Sequence, residues 1–239
     1  MNSIDEILQT FDTVLLEQLD SVKLLNRVDA KYVLKTTLLP EILNNLKNDY
    51  FVLEINNKRA SHYKTLYFDT PDFCFFYQHQ TGRLERTKIR IRTYLETGIS
   101  FLEIKTKNNH SKTSKERMPI LKPEDINDKT CQKFLRKKID KDTILKPVIE
   151  VKYSRITLVN KSFSERLTID TDLNYKIDGK TLEFLGLCIM ELKQDKTAKS
   201  TVRDVLREKH IFVSSLSKYC LGVASLYPQV KILKKKLET

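Results

Sequence analysis

Apolar residues at the start of the chain recur at helical spacing. Ser3 and Glu6 form an S-x-x-E capping box, a pattern typical of a helix start. The apolar positions after it fall three or four residues apart, as one face of an amphipathic helix requires: Ile4, Ile7, Leu8, Phe11, Leu15 and Leu19. The pattern predicts an N-terminal helix within residues 1–20, running over 3–20, that docks against the rest of the fold.

Most of the remaining chain has the pattern of β-strands. Several segments are rich in Ile, Val, Tyr, Phe and Thr, the residues that favour strands. Strands are predicted over residues 27–35, 50–56, 61–69, 86–96, 99–107, 115–120, 147–159, 164–171, 174–177 and 187–193.

Four further helices are predicted among and after these strands. Pro123 lies near the first turn of one of them, where a missing backbone N–H costs little. The four helices are expected near 37–47, over about 123–138, over about 200–209, and from around Ser214 to a point before Pro228.

The connections indicate how these elements are organised. Short turns such as residues 96–98 and 178–179 join neighbouring strands, and no regular βαβ alternation is present. No linker rich in Pro, Gly or Ser divides the chain. The sequence predicts one α+β domain over residues 1–239, with a large antiparallel sheet or closed barrel, peripheral helices and a basic tail at 228–239.

Charged residues alternate with apolar ones inside six of the strands. Because side chains alternate faces along a strand, residues two apart share a face. Lys88, Arg90 and Arg92 therefore share one face, and Ile89 and Ile91 the other. By the same parity, the other polar faces hold Arg27, Asp29 and Lys31; Glu103 and Lys105; Tyr153 and Arg155; Arg166, Thr168 and Asp170; and Glu191 and Lys193.

Two interpretations of these faces stay open. An antiparallel sheet with one solvated face also alternates in this way. The faces, however, carry many Arg and Lys and few carboxylates. Arg offers a planar fork to phosphate oxygens and Lys a point charge, which favours a barrel lumen that binds a phosphate compound. The few carboxylates (Glu103, Glu191 and Asp29) would then hold a divalent metal, because such cations prefer oxygen ligands.

Composition narrows the classes of function. The 239 residues include 43 Lys and Arg against 31 Asp and Glu, a net charge of +12. This excess favours polyanionic partners, namely nucleic acid, a membrane surface or small phosphates. With only 5 Gly, a glycine-rich phosphate loop is not expected.

The remaining signals point to a cytoplasmic protein without a Cys or His metal site. The four cysteines and four histidines lack metal-ligand spacing, so reduced thiols are expected. The sequence contains no run of about 18 apolar residues, so a transmembrane segment is not predicted. The N-terminus has neither the basic nor the apolar region of a secretory signal, which predicts a cytoplasmic location.

Several short motifs follow one another over about residues 27–222. They are D-x-K-Y at 29–32, LYFDT at 66–70, GRLER-x-K-x-R-x-R-x-Y at 82–94, FLEIKTK at 101–107, KER at 115–117, YSR at 153–155, RLTIDTDL at 166–173, MELK at 190–193 and SKY at 217–219. Each motif alone is weak, but the ordered set resembles the VTC domain, the polyphosphate polymerase module of the triphosphate tunnel metalloenzyme (CYTH-like) superfamily.

The resemblance implies a fold and an activity. The fold would be an eight-stranded antiparallel tunnel that binds triphosphate groups. The activity would be transfer of the γ-phosphate of ATP to a growing polyphosphate chain, primed by pyrophosphate or phosphate. It also implies Mn²⁺ or Mg²⁺ as cofactor and leaves a membrane partner protein possible, while nucleic acid is not an expected partner.

The resemblance also implies roles for particular residues. Lys31, Arg90, Arg92, Lys105 and Glu191 would be catalytic. Glu191 would be the main metal ligand, and Glu103 would support the metal or orient the neighbouring lysine. Residues expected to bind substrate are Lys31, Lys88, Arg90, Arg92, Lys105, Arg117, Tyr153, Arg155, Arg166, Lys193 and Lys218.

Two departures from the family pattern bear on the activity. Arg27 stands where many triphosphate-hydrolysing members have the first Glu of E-x-E-x-K, which argues against hydrolysis. The inositol-phosphate sensor domain and membrane helices of the eukaryotic complex are not expected within these 239 residues. Two alternatives to the polymerase stay open: a metal-dependent inorganic or nucleoside triphosphatase on the same fold, and a non-catalytic module that binds polyanions.

Overall fold

The computed structural model describes residues 3–20, 27–109, 112–195 and 199–230. The predicted capping box is confirmed at the start of helix α1 (Ile4–Gln9). The Ser3 hydroxyl accepts a hydrogen bond from the Glu6 backbone N–H at 3.2 Å, and the Glu6 carboxylate accepts one from the Ser3 N–H at 2.9 Å. These two bonds satisfy backbone donors that a helix start would otherwise leave unpaired.

Eleven strands and seven α-helices are present in the described residues. Two 3-10 turns precede α3 and α5, at Thr36–Leu38 and Pro123–Asn127. The other elements, in chain order, are β1 (Asp12–Val14), α2 (Leu16–Asp20), β2 (Arg27–Lys35), α3 (Leu39–Leu46), β3 (Tyr50–Leu53), β4 (Ala60–Asp69), α4 (Cys74–Gln80), β5 (Arg86–Tyr94), β6 (Ser100–Lys107), β7 (Thr113–Ile120), α5 (Lys129–Leu135), β8 (Lys146–Asn160), β9 (Glu165–Ile177), β10 (Lys180–Phe184), β11 (Leu187–Asp195), α6 (Thr201–Glu208) and α7 (Lys218–Leu226).

The prediction of one helix over residues 3–20 is wrong. Thr10 ends α1, and its hydroxyl donates to the Ile7 carbonyl at 2.7 Å. The chain then enters β1, which pairs in parallel with β3. Hydrogen bonds to a distant strand therefore outweigh the local helical pattern of these residues.

Other boundaries also differ from the predictions. The helix predicted over 123–138 is a 3-10 turn followed by the shorter α5, and the last helix begins at Lys218. Strand β9 is continuous where two strands were predicted, with Asp172 at a φ of 55° inside it, a conformation that Asp tolerates. Helix α4 and strands β1 and β10 were not predicted. The part of the predicted basic tail after residue 230 lies outside the described residues.

The chain groups into two compact units, which are named unit 1 and unit 2 here. Unit 1 comprises the described residues of Met1–His62, Tyr153–Leu173 and Phe184–Leu216, and unit 2 those of Tyr63–Lys152, Asn174–Glu183 and Ser217–Thr239.

Unit 1 is a sheet with helices on one of its faces, antiparallel except for the parallel pair of β1 and β3. Strand β11 pairs with β2 on one side and with β9 on the other, and the second half of β8 pairs with β3. The covered face contributes buried residues such as Leu34, Ile169 and Met190, and these pack with Leu43 of α3 and Leu206 of α6. Burial of this face leaves the opposite face of β2, β11 and β9 for polar side chains.

Unit 2 follows the same plan with different elements. Strands β4, β5, β6 and β7 pair antiparallel in chain order. Ile89 and Ile104 on one face pack with Ile126 and with Leu135 of α5. The opposite face again carries the charged residues.

The α+β class with a large antiparallel sheet is confirmed. Closure of about eight strands into a tunnel would be a relation between the two units, so it stays a prediction, as does the single domain. Over the described ranges, no helix combines the length and apolar character that crossing a membrane would require.

Candidate phosphate-binding site

The predicted alternation of strand β5 is confirmed. Ile89 and Ile91 are buried in the core of unit 2, and Lys88, Arg90 and Arg92 lie on the opposite face. The register with β6 sets each of the three opposite a residue of the same face. The facing pairs are Lys88 with Lys105, Arg90 with Glu103, and Arg92 with Phe101.

Strand β7 extends this surface. Arg117 lies opposite Glu103, and Lys115 lies opposite Lys105. Lys115 was not among the predicted site residues, although its position two residues before Arg117 already implied the same face. The term "basic face" denotes this surface of unit 2: Lys88, Arg90, Arg92, Glu103, Lys105, Lys115 and Arg117.

Glu103 lies at the centre of the basic face, with 2% of its surface exposed. Its Oε2 accepts a hydrogen bond from Arg90 Nε at 2.6 Å, and its Oε1 lies 3.1 Å from Lys115 Nζ. Burial alone would raise the pKa of Glu103, but the charges of Arg90, Arg92 and Lys115 outweigh burial and lower the pKa to about 2. Glu103 is therefore ionised at neutral pH and orients two cations.

Arg92 differs from Arg90 because its described contacts are incomplete. Its Cζ lies 5.7 Å from the centre of the Tyr63 ring. Arg92 Nε and the hydroxyl of Thr65, the residue opposite it on β4, are both buried without a hydrogen-bond partner among the described residues. Buried donors normally have partners, so this part of the face fits an oxygen-rich ligand.

Lys105 and Arg117 are the exposed members of the predicted set. The guanidinium of Arg117 lies over the Phe101 ring, 4.6 Å from its centre. Their exposure leaves both side chains accessible to a ligand from solvent.

The N-terminal turn of α7 borders the basic face. Lys88 Nζ donates a hydrogen bond to Ser217 Oγ at 3.0 Å and lies 5.9 Å from the centre of the Tyr219 ring. Lys218, a predicted substrate-binding residue, lies between Ser217 and Tyr219 in the sequence, and it is half-buried.

Unit 1 carries the other predicted residues on its polar sheet face. Strand β11 lies between β2 and β9, so its residues from Ile189 to Gln194 each face two partners. Glu191 lies opposite Lys31 and Thr168. Lys193, two residues further along the same strand, lies opposite Asp29 and Arg166. The side chain of Arg27 lies outside the described part of the chain.

Arg155 on strand β8 is held by Asp170, a carboxylate that was not among the predicted site residues. Its guanidinium donates to both oxygens of Asp170, at 2.6 and 2.8 Å, and its Cζ lies 5.4 Å from the centre of the Tyr153 ring. Such a fork fixes the orientation of an arginine. Strand alternation already placed Asp170 on the same face as Arg166, and this pattern could have identified it as a site residue.

The predicted residues thus divide between the units. Unit 2 contains Lys88, Arg90, Arg92, Glu103, Lys105, Arg117 and Lys218, and unit 1 contains Lys31, Tyr153, Arg155, Arg166, Glu191 and Lys193.

The carboxylates differ in their fit to a divalent metal. Within residues 3–20, 27–109, 112–195 and 199–230, no three Asp, Glu, His or Cys side chains converge as an all-protein metal site requires. A cation that arrives with a triphosphate needs only one or two carboxylates, because phosphate oxygens and water complete its shell. Glu191 fits this role, with its side chain 30% exposed and Lys193 Nζ 3.8 Å from Oε1. Both oxygens of Glu103 already contact cations, so its metal role stays a prediction.

Three of the solved structures that resemble this chain are distant likenesses. The Hippeastrum protein HpAC1, described with a dominant triphosphatase activity, is 14% identical with a TM-score of 0.49, covering 83% of this chain and 96% of that one. A candidate adenylate cyclase from Vibrio parahaemolyticus is 17% identical with a TM-score of 0.42, covering 77% and 83%. The protein PH1819 of Pyrococcus horikoshii is 15% identical with a TM-score of 0.46, covering 83% and 99%. Likenesses at this level carry no argument about activity.

Comparison with sequence families is more informative. No curated protein matches the chain significantly. The family model of the VTC domain, in contrast, matches residues 26–227. The matched range contains every predicted site residue of both units. Because the model spans most of its length, the chain belongs to the VTC domain family.

Proposed function

We propose that this protein is an ATP-dependent polyphosphate polymerase, a phosphotransferase that uses Mn²⁺ or Mg²⁺. The observation that carries the proposal is the basic face, where adjacent strands of a VTC domain align six cations around one buried carboxylate. The polar face of unit 1 supports it with Lys31, Arg155, Arg166 and Lys193. The proposal includes the cytoplasmic location expected from the sequence.

The basic face supplies what phosphoryl transfer demands of a protein. Catalysis of this reaction rests mainly on positioning and charge stabilisation, and a protein nucleophile is not needed. Arg90 is already oriented by Glu103, and Arg92 has a buried donor to offer. Preoriented donors of this kind stabilise charge without reorganising during the reaction.

The proposed step balances without an external acid or base. A terminal phosphate oxygen of the acceptor, pyrophosphate or a polyphosphate chain, forms a bond to the γ-phosphorus of ATP. The bond between this phosphorus and the β–γ bridging oxygen breaks, and ADP leaves with the electron pair. The acceptor oxygen is already anionic, so no proton has to be removed. This agrees with a set of predicted site residues that includes no histidine to act as a base.

Glu191 is the residue that we propose as protein ligand of the metal. When bound, the metal would neutralise phosphate charge and orient the β- and γ-phosphates. The half-buried Glu191 carboxylate, opposite Lys31 and beside Lys193, would hold this charge within a row of phosphate-binding cations.

The test is to incubate the purified protein with ATP, Mn²⁺ and a trace of pyrophosphate, and to resolve the products by chain length. Polyphosphate longer than the primer, formed with ADP, is the expected result. Arg92→Met should abolish chain synthesis, whereas Lys133→Met, a matched loss of an exposed cation on α5, should leave it intact. Orthophosphate or shorter species alone would instead indicate a triphosphatase. An absence of any product, together with binding of polyphosphate that weakens steeply with salt, would indicate a non-catalytic module.

A further inference from the structure

The ammonium of Lys88 is held from two sides by the first turn of helix α7. One contact is the hydrogen bond to Ser217 Oγ at 3.0 Å, and the other is the Tyr219 ring at 5.9 Å. Both of these partners are neutral, so neither of them cancels the positive charge. The two contacts tie the ammonium of Lys88 to the start of α7.

The start of α7 is tied to the end of strand β4 through a buried pair. The Tyr219 hydroxyl donates to Asp69 Oδ2, and the tyrosine and the aspartate are 1% and 0% exposed. Asp69 also accepts hydrogen bonds from the backbone N–H groups of Thr70, Phe75 and Phe76, at 2.7 to 2.9 Å. Burial raises the pKa of Asp69, although these hydrogen bonds oppose the increase.

The rest of α7 is packed independently of this pair. Gly222 lies so close to the ring of Tyr175 and the side chain of Ile149 that a Cβ at its position would overlap both unless a neighbour shifted. At the other end of the helix, the Tyr227 hydroxyl donates to the Val148 carbonyl at 2.6 Å. The Asp69–Tyr219 bond is thus not needed merely to attach α7 to unit 2, and its specific consequence lies at the first turn.

We propose that the Asp69–Tyr219 pair is a positioning device, which fixes Ser217 and the Tyr219 ring so that they hold the charged Lys88 in place for phosphate. Tyr219 and Ser217 are positioning residues that act through Lys88. The role of phosphate rests on the proposed function, whereas the placement of Lys88 does not. An alternative, in which Tyr219 only fills the core, predicts no effect on Lys88 beyond that of any equal loss of stability.

The test compares Tyr219→Phe with Tyr227→Phe, which removes a hydroxyl and one hydrogen bond from the other end of the same helix. The rate of reductive methylation of Lys88, measured by mass spectrometry on the full chain, reports how firmly the amine is held. Tyr219→Phe and Ser217→Ala should each raise this rate about fivefold, the equivalent of one lost hydrogen bond, and Ser217→Thr should restore it. Tyr227→Phe should leave the rate unchanged.

Binding of tripolyphosphate, measured by calorimetry, supplies the second readout. Tyr219→Phe should weaken binding about fivefold in the wild-type background and should have no effect when combined with Lys88→Met, because the pair acts through that lysine. A wild-type protein that does not bind tripolyphosphate, but whose Lys88 rate responds as expected, would overturn the proposed function and keep the positioning role.

Three results would overturn the positioning role. The first is an equal Lys88 rate in Tyr219→Phe and Tyr227→Phe. The second is a Tyr219→Phe effect on tripolyphosphate binding that persists in the Lys88→Met background. The third is a Tyr219→Phe chain that does not fold, since the hydroxyl would then be a requirement of the core.

Discussion

Glu103 and Arg90 form a hydrogen-bonded ion pair across neighbouring strands, with Oε2 and Nε 2.6 Å apart. The same carboxylate contacts Lys115 on the third strand. One buried anion therefore sets the orientation of two cations that would otherwise repel each other. This relationship makes Glu103 important to both the stability and the charge of the basic face.

The ion pair predicts a pH dependence of stability. The pKa of Glu103 is lowered in the folded state, to about 2 from 4.5. The stabilisation from its ionised form is thus fully present above about pH 4.5 and is lost as the pH falls towards 2. Glu103→Gln should lower the free energy of unfolding at pH 7 by roughly 3 kcal/mol, measured by urea denaturation.

The loss should shrink when the same measurement is made at pH 3, because Gln does not titrate. Glu116→Gln on the neighbouring strand β7 is the matched control, since Glu116 pairs with Lys138 at the surface and should show a small effect. A loss at pH 3 as large as that at pH 7 would argue against an ionised Glu103.

Truncation of Arg90 should destabilise the protein more than truncation of Arg92. Arg90→Met removes the partner of a buried carboxylate and should cost about 3 kcal/mol of unfolding free energy. Arg92→Met removes a buried guanidinium nitrogen that has no described partner, so the cost should be about 1 kcal/mol or less.

Binding shows whether Arg92 has more than a structural role. Although Arg92→Met should cost little stability, it should weaken tripolyphosphate binding at least about tenfold, as measured by calorimetry. If Arg92→Met unfolds the protein while Arg90→Met does not, the assignment of the two roles is reversed.

Glu191→Gln should abolish metal-dependent turnover without changing the melting temperature. The substitution keeps the size of the side chain and removes the charge that a divalent cation requires. Product formation from ATP at increasing Mn²⁺ concentrations is the measurement. Glu41→Gln, an exposed carboxylate of unit 1 that pairs with Lys209, is the control and should retain activity. Full activity in Glu191→Gln would remove this residue from the site.

Gly222→Ala should destabilise the protein by about 2–3 kcal/mol in thermal or urea unfolding, which is the upper part of the range for an overpacked core. An added methyl group would overlap the Tyr175 ring and the Ile149 side chain. Gly98→Ala is the matched comparison. Gly98 has open space around it, so an added methyl group meets no neighbour, but its φ of 69° is unfavourable for alanine. This second substitution should cost about 1 kcal/mol through backbone strain alone. Equal losses would show that α7 can shift to accept the methyl group.

The polar and apolar faces of the sheet were predictable from the sequence because strand alternation is a local property. Ile89 and Ile91 against Lys88, Arg90 and Arg92 follow from a period of two, whatever the partner strands are. The motifs that resemble a VTC domain also lie within short segments. Local patterns of this kind determined the fold class, the candidate cations and the capping box at Ser3.

Only the tertiary structure decided which of these groups interact. Tyr219 and Asp69 are 150 residues apart in the sequence, and Asp170 is 15 residues from Arg155, so no local rule pairs them. The N-terminal helix breaks for the same reason, since β1 gains hydrogen bonds to β3 that the helical pattern does not contain. Strand alternation assigns each residue to a face, but register and long-range contacts choose its partner, and the partner decides whether a charge is neutralised or available to a ligand.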